Sequence, residues 1–177
     1  DIDTDVAKYM LYSIDRKLTN VYTDTEPIKP LTLEHILPQD PKKHWDEDKF
    51  FKDYKTKSKT PEFPNRFSKF ENNIGNLTIL RGDINSKIKN KSYIVKRNHI
   101  DCSGNCTVTC ICGDNKEPDG YLSSNLEINK QTVWKEYGST TDLKEWTALI
   151  IEKREEEFIE LSKEIWKLPY IRCSNAT

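Results

Sequence analysis

The chain has 177 residues and nearly balanced charge, with 28 Lys and Arg against 29 Asp and Glu. This length suits one domain, or a small domain with a helical extension. Four Trp, eight Tyr and six Phe argue against a wholly disordered chain. No run of about 18 apolar residues is present, so no membrane-spanning helix is predicted, and no signal-peptide pattern is visible.

Charge is unevenly distributed along the chain. Residues 41–100 carry fifteen Lys and Arg against seven Asp and Glu, whereas residues 141–168 carry five against eight. A basic middle can follow a phosphate backbone, because each neutralised phosphate releases counterions. A lysine-rich solvated surface gives the same pattern, so charge alone leaves both interpretations open.

The first part of the chain predicts a helix, a strand and a second, shorter helix. Apolar residues recur at helical spacing within residues 3–18: Val6, Met10, Leu11, Ile14 and Leu18. Residues 31–37 predict a strand that ends before Pro38. Residues 45–59 are charged, with aromatic residues as the expected buried side of a short helix.

A second strand and a longer helix follow. Phe67 and Phe70 indicate a short helix, and Gly75 permits a turn before a strand at residues 76–80. From Asp83, polar and basic residues continue into a predicted helix that ends near Ile100.

The C-terminal part predicts a loop and a long helix. Residues 104–120 have the composition of an inserted loop. Residues 142–166 predict a long amphipathic helix with one broad apolar face. That face would contain Leu143, Trp146, Leu149, Ile150, Ile151, Phe158, Ile159, Leu161, Ile165 and Trp166.

Four of the five cysteines are crowded at this insertion, at Cys102, Cys106, Cys110 and Cys112. Structural zinc sites usually use two cysteine pairs with two to four intervening residues, and the last step here is too tight for such a pair. A Zn²⁺ site is one interpretation of the cluster. A surface insertion with reduced thiols, or with an adventitious disulfide, is the other.

An acid–histidine pair lies at the end of the first predicted strand, in the motif EHILP at residues 34–38. Because strand side chains alternate, Glu34 and His35 face opposite sides, so that one can bind a metal while the other faces a substrate. Alone, such a pair is far more often a surface accident or a satisfied polar pair.

Two asparagines complete the candidate site. Asn76 opens the second strand, in the motif GNLTIL at residues 75–80, and can pin a neighbouring loop through its backbone. Asn85, nine residues later, can present its carbonyl oxygen to a hard cation such as Mg²⁺. Each asparagine alone also fits ordinary turn or helix-cap chemistry.

Together, EHILP, GNLTIL and Asn85 resemble the ββα-metal (HNH) nuclease core, and the spacing of the two asparagines is similar to that in RNA-guided nucleases. The chain resembles more closely the C-terminal nuclease domain of GmrSD-type, modification-dependent restriction enzymes. This resemblance spans about residues 9–168, without the cysteine-bearing stretch. Its further matches are Trp45, Tyr93, Lys96, Trp146, Arg154, Ile165 and Trp166.

The resemblance implies a role for each site residue. His35 would be the general base that takes a proton from the attacking water, and Asn76 would orient it by fixing the loop. Glu34 and Asn85 would hold one Mg²⁺ or Mn²⁺ ion that stabilises the leaving oxygen. Contacts to nucleic-acid phosphates are expected from Lys87, Lys96 and Arg81.

The resemblance also implies an α+β, mostly helical fold, in which a ββα-metal hairpin-plus-helix core is embedded in helices and a long amphipathic helix follows. The expected segments are a helical lead-in at residues 1–30, the nuclease core at 31–101, the cysteine-rich insertion at 102–120, a C-terminal helical part at 121–168 and a tail at 169–177.

The expected function is that of a cytoplasmic, metal-dependent DNA endonuclease domain from a modification-dependent restriction or anti-phage system. Its DNA would be phage or modified DNA, and a homodimer would supply two active sites for cutting both strands. Domains of this type usually follow an N-terminal ParB-like domain that hydrolyses nucleotides, and this chain carries no P-loop.

Three alternatives stay open from the sequence. The domain could cut RNA, which digestion of DNA beside RNA would decide. It could be a non-catalytic nucleic-acid-binding module, whose binding would be unchanged by His35→Ala. It could also be a helical scaffold with a zinc-stapled loop, indicated by stoichiometric zinc without DNA binding.

Overall fold

The computed structural model of the protein describes residues 3–20, 30–41, 44–52, 67–98, 120–121, 124–134 and 145–167. Within these ranges the elements are α1 (Thr4–Thr19), β1 (Leu31–His35), α2 (Glu47–Phe51), α3 (Ser68–Glu71), a 3-10 turn (Ile74–Asn76), β2 (Leu77–Arg81), α4 (Gly82–Ile88), α5 (Tyr93–Asn98), α6 (Glu127–Trp134) and α7 (Ala148–Ile165). The predicted cysteine cluster of Cys102, Cys106, Cys110 and Cys112 lies outside the described residues.

The two strands form one small antiparallel sheet. Its register pairs Glu34 with Thr78 and His35 with Leu77. Helices make up most of the described part of the chain, which confirms the predicted α+β, mostly helical class. In that same part, no helix is long and apolar enough to cross a membrane.

Two apolar clusters pack on the two faces of β2. Successive strand residues point to opposite faces, so Leu80 joins one cluster while Leu77 and Ile79 join the other. The first cluster contains Phe50, Phe67 and Phe70 of the α2–α3 region with Trp146 and Ile151. The second contains Ala7, Leu11 and Ile14 of α1 with Ile128 of α6 and Phe158 of α7.

Helix α7 holds the 3-10 turn that precedes β2. A Cβ added to Gly75 would lie 2.1 Å from the Ile151 carbonyl oxygen, so only glycine permits this close approach. The fully buried Arg154 donates from Nη1 to the carbonyl oxygens of Gly75 and Leu77, at 2.7 and 2.8 Å. The position of the turn is therefore fixed by the longest described helix.

The C-terminal helix begins later than predicted. Its N-cap is Thr147, whose hydroxyl accepts a hydrogen bond from the Ile150 N–H at 3.4 Å. Trp146, predicted to lie on the helix, precedes it and is buried in the first cluster. The prediction of one helix over residues 142–166 was therefore wrong at its N-terminal end, because a capping threonine follows the tryptophan.

The segment that continues from Asp83 into the predicted helix forms two helices, and the predicted end near Ile100 lies outside the described residues. Helix α4 ends at Ile88 and α5 begins at Tyr93. Between them Lys89 has φ 41° and ψ −136°, a backbone conformation that favours glycine. The break lets α5 change direction, so that Lys96 reaches β1.

Replacing Lys89 by glycine should therefore stabilise the fold. We expect Lys89→Gly to raise the free energy of unfolding by about 1 kcal/mol, because glycine adopts positive φ without a Cβ clash. Chemical denaturation measures the difference. The matched control, Lys89→Ala, keeps the Cβ and should stay within about 0.5 kcal/mol of the wild type. Equal free energies of unfolding for the glycine and alanine variants would show that the backbone at Lys89 is not strained.

Candidate functional site

A cleft of about 680 Å³ lies at the end of β1. Strand β1, the loop that follows it, α4, α5 and the turn between these helices form its lining. Four of the sequence-predicted site residues line it together: Glu34, His35, Asn85 and Lys96. Residues that are far apart in sequence are thus brought to one concave surface.

Glu34 and His35 differ in burial, as the alternation of strand side chains requires. Glu34 is only 5% exposed, whereas the His35 side chain is half-buried. The Glu34 carboxylate points to buried partners from α5 and from Tyr121. The His35 ring lies against Asn72, which is exposed.

The Glu34 carboxylate is held by two donors on the same oxygen. Lys96 Nζ lies 2.7 Å from Glu34 Oε1, and the Tyr121 hydroxyl donates to this oxygen at 3.0 Å. Lys96 Nζ also donates to the His35 carbonyl oxygen at 2.6 Å. One buried ammonium therefore links the carboxylate to the backbone of the histidine.

Burial shifts the pKa values of this group toward the neutral forms. Burial raises the pKa of Glu34, and the neighbouring Lys96 charge opposes that shift. Burial lowers the pKa of Lys96, opposed by the charge of Glu34. Burial also raises the pKa of Tyr121 well above its usual range, so its hydroxyl keeps its proton and stays a donor.

His35 is positioned and tuned by its surroundings. Its Nε2 lies 3.1 Å from Asn72 Oδ1. When Nε2 carries the proton of this hydrogen bond, Nδ1 is the basic nitrogen. Burial lowers the pKa of His35 below 6.5; the Asn72 hydrogen bond opposes this, and the Lys96 charge adds to it. The ring is therefore neutral at neutral pH, as a general base must be.

Asn76 is fully buried and all of its amide groups are bonded. Its Oδ1 accepts from the Leu37 N–H at 2.7 Å and from Trp146 Nε1 at 3.1 Å. Its Nδ2 donates to the carbonyl oxygens of Leu37 and Glu71, both at 2.9 Å. The Asn76 carbonyl also accepts from the Ile36 N–H at 3.0 Å. These bonds fix the two residues that follow His35.

Asn85 lies in the cleft with its amide nitrogen toward β1. Its Nδ2 donates to Thr32 Oγ1 at 3.0 Å and to the Leu33 carbonyl at 3.1 Å. These bonds do not use its carbonyl oxygen, which is the group that a metal would need.

The available donors decide which metal fits the cleft. Glu34 offers a carboxylate and Asn85 an amide oxygen, and both line the same cavity. In the described ranges no three His, Cys, Asp or Glu side chains are grouped as metal ligands. Two oxygen ligands fit Mg²⁺ or Mn²⁺, which keep several waters, and do not fit a four-coordinate structural zinc ion.

The three residues predicted to contact phosphates have different surroundings. Arg81 forms a bidentate pair with Asp83, with N···O distances of 3.1 and 2.9 Å. Lys87 is exposed but does not line the cleft. Lys96 is only 1% exposed, and its ammonium is bonded to Glu34. It therefore holds the acid–histidine pair and is not the surface phosphate contact that the sequence predicted.

The sequence interpretation missed three residues of this cleft region: Asn72, Lys89 and Tyr121. Tyr121 follows the cysteine-rich stretch and carries no periodic signal. A general rule could have indicated that a partner exists, because a buried carboxylate needs donors. That rule does not identify which residue supplies the donor.

Removing the Lys96 ammonium should destabilise the fold in a pH-dependent way. In Lys96→Met the buried Glu34 charge loses its partner, so we expect a loss of about 3–5 kcal/mol near pH 7. Burial raises the folded-state pKa of Glu34 above its ordinary 4.5. The loss therefore grows as pH rises above about 4.5, where the carboxyl ionises only in the unfolded chain, and it is complete once pH exceeds the folded-state pKa. Below about pH 4.5 the carboxyl is neutral in both states and the loss is small.

Urea unfolding of the wild type and Lys96→Met, near pH 7 and below about pH 4.5, measures this pH-dependent loss of stability. The matched control is the double variant Glu34→Gln/Lys96→Met, which has neither charge of this pair and should recover most of the lost stability near pH 7. An equal loss at both pH values would show that packing, not charge, is what Lys96 contributes.

Removing the Asn72 acceptor should lower the pKa of His35 further. The Asn72 hydrogen bond is what opposes the lowering caused by burial. NMR titration of the His35 ring protons in Asn72→Ala measures the change. Asn72→Asp is the control, because it keeps an acceptor, adds a negative charge and should raise the pKa of His35. A midpoint in Asn72→Ala equal to that of the wild type would refute this role.

Comparison with known proteins places the chain in a family. Residues 1–161 match the family model described as GmrSD restriction endonucleases, C-terminal domain. No curated protein and no solved structure matches the chain. The family match spans both strands, α4 and α5, and so contains every residue of the candidate site. The chain therefore belongs to the family of C-terminal domains of GmrSD restriction endonucleases.

Proposed function

We propose that this restriction endonuclease domain is a metal-dependent nuclease of the ββα-metal (HNH) type that hydrolyses phosphodiester bonds in DNA. The observation that carries the proposal is the shared cleft. A half-buried histidine whose pKa is lowered lies there beside a buried carboxylate and an asparagine amide. These are a base and two oxygen donors, which is the set that metal-assisted hydrolysis needs.

The order of the elements supports the proposal. Strand β2 is followed immediately by α4, and β1 pairs with β2. His35 ends the first strand and Asn85 lies on the helix, as in the resemblance to the ββα-metal core. This order of elements supports the assignment to the ββα-metal type.

His35 is the proposed general base. Its neutral ring takes a proton from the attacking water at Nδ1, while Asn72 holds Nε2 and so orients the ring. Asn76 fixes the backbone after His35 and keeps the end of β1 in place. Proton removal and orientation are thus assigned to different side chains.

Glu34 and Asn85 are the proposed metal ligands, for Mg²⁺ or Mn²⁺. When bound, such an ion supplies positive charge that stabilises the developing charge on the phosphate and leaving oxygen. Lys96 and Tyr121 both bond Glu34 Oε1 and so orient the carboxylate. The hydrogen bonds of Asn85 to β1 hold its amide plane in one orientation.

The proposed biological context follows from the family and the resemblance. The substrate would be phage or modified DNA, cut for a restriction or antiviral defence system. The proposed partners are an N-terminal ParB-like domain that hydrolyses nucleotides and a second copy of the chain that would let both strands be cut.

Plasmid cleavage by the wild type and His35→Ala, with Mg²⁺, Mn²⁺ or EDTA, tests the proposal. We expect metal-dependent nicking that falls by about 100-fold or more in His35→Ala, because the variant has no base. His44→Ala is the matched control, since His44 is exposed and does not line the cleft. Its cleavage rate should equal that of the wild type.

Each other result has a definite meaning. Cleavage that persists in His35→Ala or in EDTA would contradict the assigned base or the metal. Digestion of RNA in preference to DNA would replace the proposed substrate. DNA binding without cleavage in any metal would indicate a binding module.

A further inference from the structure

Two lysines line the cleft, and their environments are opposite. Lys96 is buried and its ammonium is bonded to Glu34 and to the His35 carbonyl. Lys89 is exposed at the turn between α4 and α5. Across the described segments, no hydrogen bond or ion pair engages the Lys89 ammonium. Its positive charge is therefore available to a ligand in the cleft.

The other expected phosphate contacts are less suited to such a ligand. The Arg81 guanidinium is neutralised by its bidentate contact with Asp83. Lys87, only two residues from Lys89, lies outside the cleft lining. Among the described lining residues, Lys89 is thus the cation that a bound anion can reach.

The backbone conformation of Lys89 favours glycine, so stability does not explain why a lysine is present at this position. At φ 41° a residue with a Cβ is strained and glycine is favoured. Strained conformations persist where the surrounding structure enforces them, and they concentrate at ligand sites. A lysine at this strained position, lining the cleft, therefore suits a role in binding a ligand.

The polar residues near Lys89 indicate where an anionic chain would run. Asn90 follows Lys89 in the same turn and also lines the cleft, and its amide offers further N–H donors. The loop after β1 contributes Asp40, whose carboxylate repels anions. A phosphate backbone would therefore follow the α4–α5 turn and avoid this loop.

We propose that Lys89, with Asn90 beside it, forms a phosphate-binding subsite in the cleft and holds a nucleic-acid backbone phosphate next to the one that would be cut. This inference rests on the proposed function, because it places a nucleic-acid strand in the cleft. It assigns substrate binding to the turn between α4 and α5 and leaves Lys96 to the acid–histidine pair.

DNA binding without cleavage tests the subsite. The probe is a fluorescein-labelled duplex of about 20 base pairs, titrated by fluorescence anisotropy in EDTA at several salt concentrations. We expect Lys89→Ala to bind about fivefold to tenfold more weakly, with a salt slope smaller by about 0.9, because one phosphate contact is lost. Lys89→Arg should bind like the wild type.

Two matched variants separate this contact from general effects. Lys163→Ala removes an exposed lysine charge on α7, outside the cleft, and should change the affinity by less than about twofold. Lys89→Gly relieves the backbone strain, so it should bind as weakly as Lys89→Ala while being more stable. Thermal unfolding of each variant verifies that the weaker binding does not come from unfolding.

Three results would overturn the subsite: wild-type affinity in Lys89→Ala, equal weakening in Lys163→Ala, or no DNA binding by the wild type. The cleavage assay distinguishes this failure from that of the proposed function. If His35-dependent cleavage is found and Lys89→Ala binds normally, only the subsite is wrong. If no cleavage is found and binding depends on Lys89, the nuclease assignment is wrong, and Lys89 contacts a backbone phosphate in a binding module.

Discussion

The buried amide of Asn76 is the contact on which the rest of the site depends. It joins the loop after β1, the end of α3 and the segment before α7 through four hydrogen bonds. Leaving even one such buried group unbonded costs about 1–3 kcal/mol, so alternative arrangements of these segments are disfavoured. Arg154 and Gly75 support the same turn from α7. The ends of both strands, and with them the cleft, are fixed by this one cluster.

The acid and the histidine are coupled through a single ammonium. Lys96 Nζ binds the Glu34 carboxylate and the His35 carbonyl together, so moving either residue disturbs the other. Its charge also lowers the pKa of His35, in the same direction as burial. A side chain that is only 1% exposed thus influences both the position of the carboxylate and the protonation of the ring. These two effects require a buried lysine, because an exposed cation could bind a ligand but could not hold Glu34 and His35 together.

Sequence patterns predicted the strands and α1 to within about two residues, because these elements have clear periodicity. The resemblance to the ββα-metal core, not periodicity, predicted that Glu34, His35 and Asn85 share a site. The break at Lys89 was missed, since one backbone angle leaves no trace in a hydrophobic pattern. Tyr121 was missed because its contact with Glu34 joins residues far apart in sequence, which periodicity cannot detect. The start of α7 was misplaced because Thr147 caps a helix inside an apolar run.

Stability alone does not explain the features that surround the cleft. A buried Glu34–Lys96 pair is no more stable than well-packed apolar residues of the same volume, and Lys89 is strained where glycine is not. The buried Arg154 differs, because its hydrogen bonds to two carbonyls and its contact with the Phe158 ring, 4.5 Å from the centroid, give it a structural purpose. Departures from the most stable choice are expected where a protein performs chemistry. The buried Glu34–Lys96 pair and the strained Lys89 line one cleft, beside a histidine whose pKa is lowered. Their occurrence together supports a functional site more strongly than any one of these residues does.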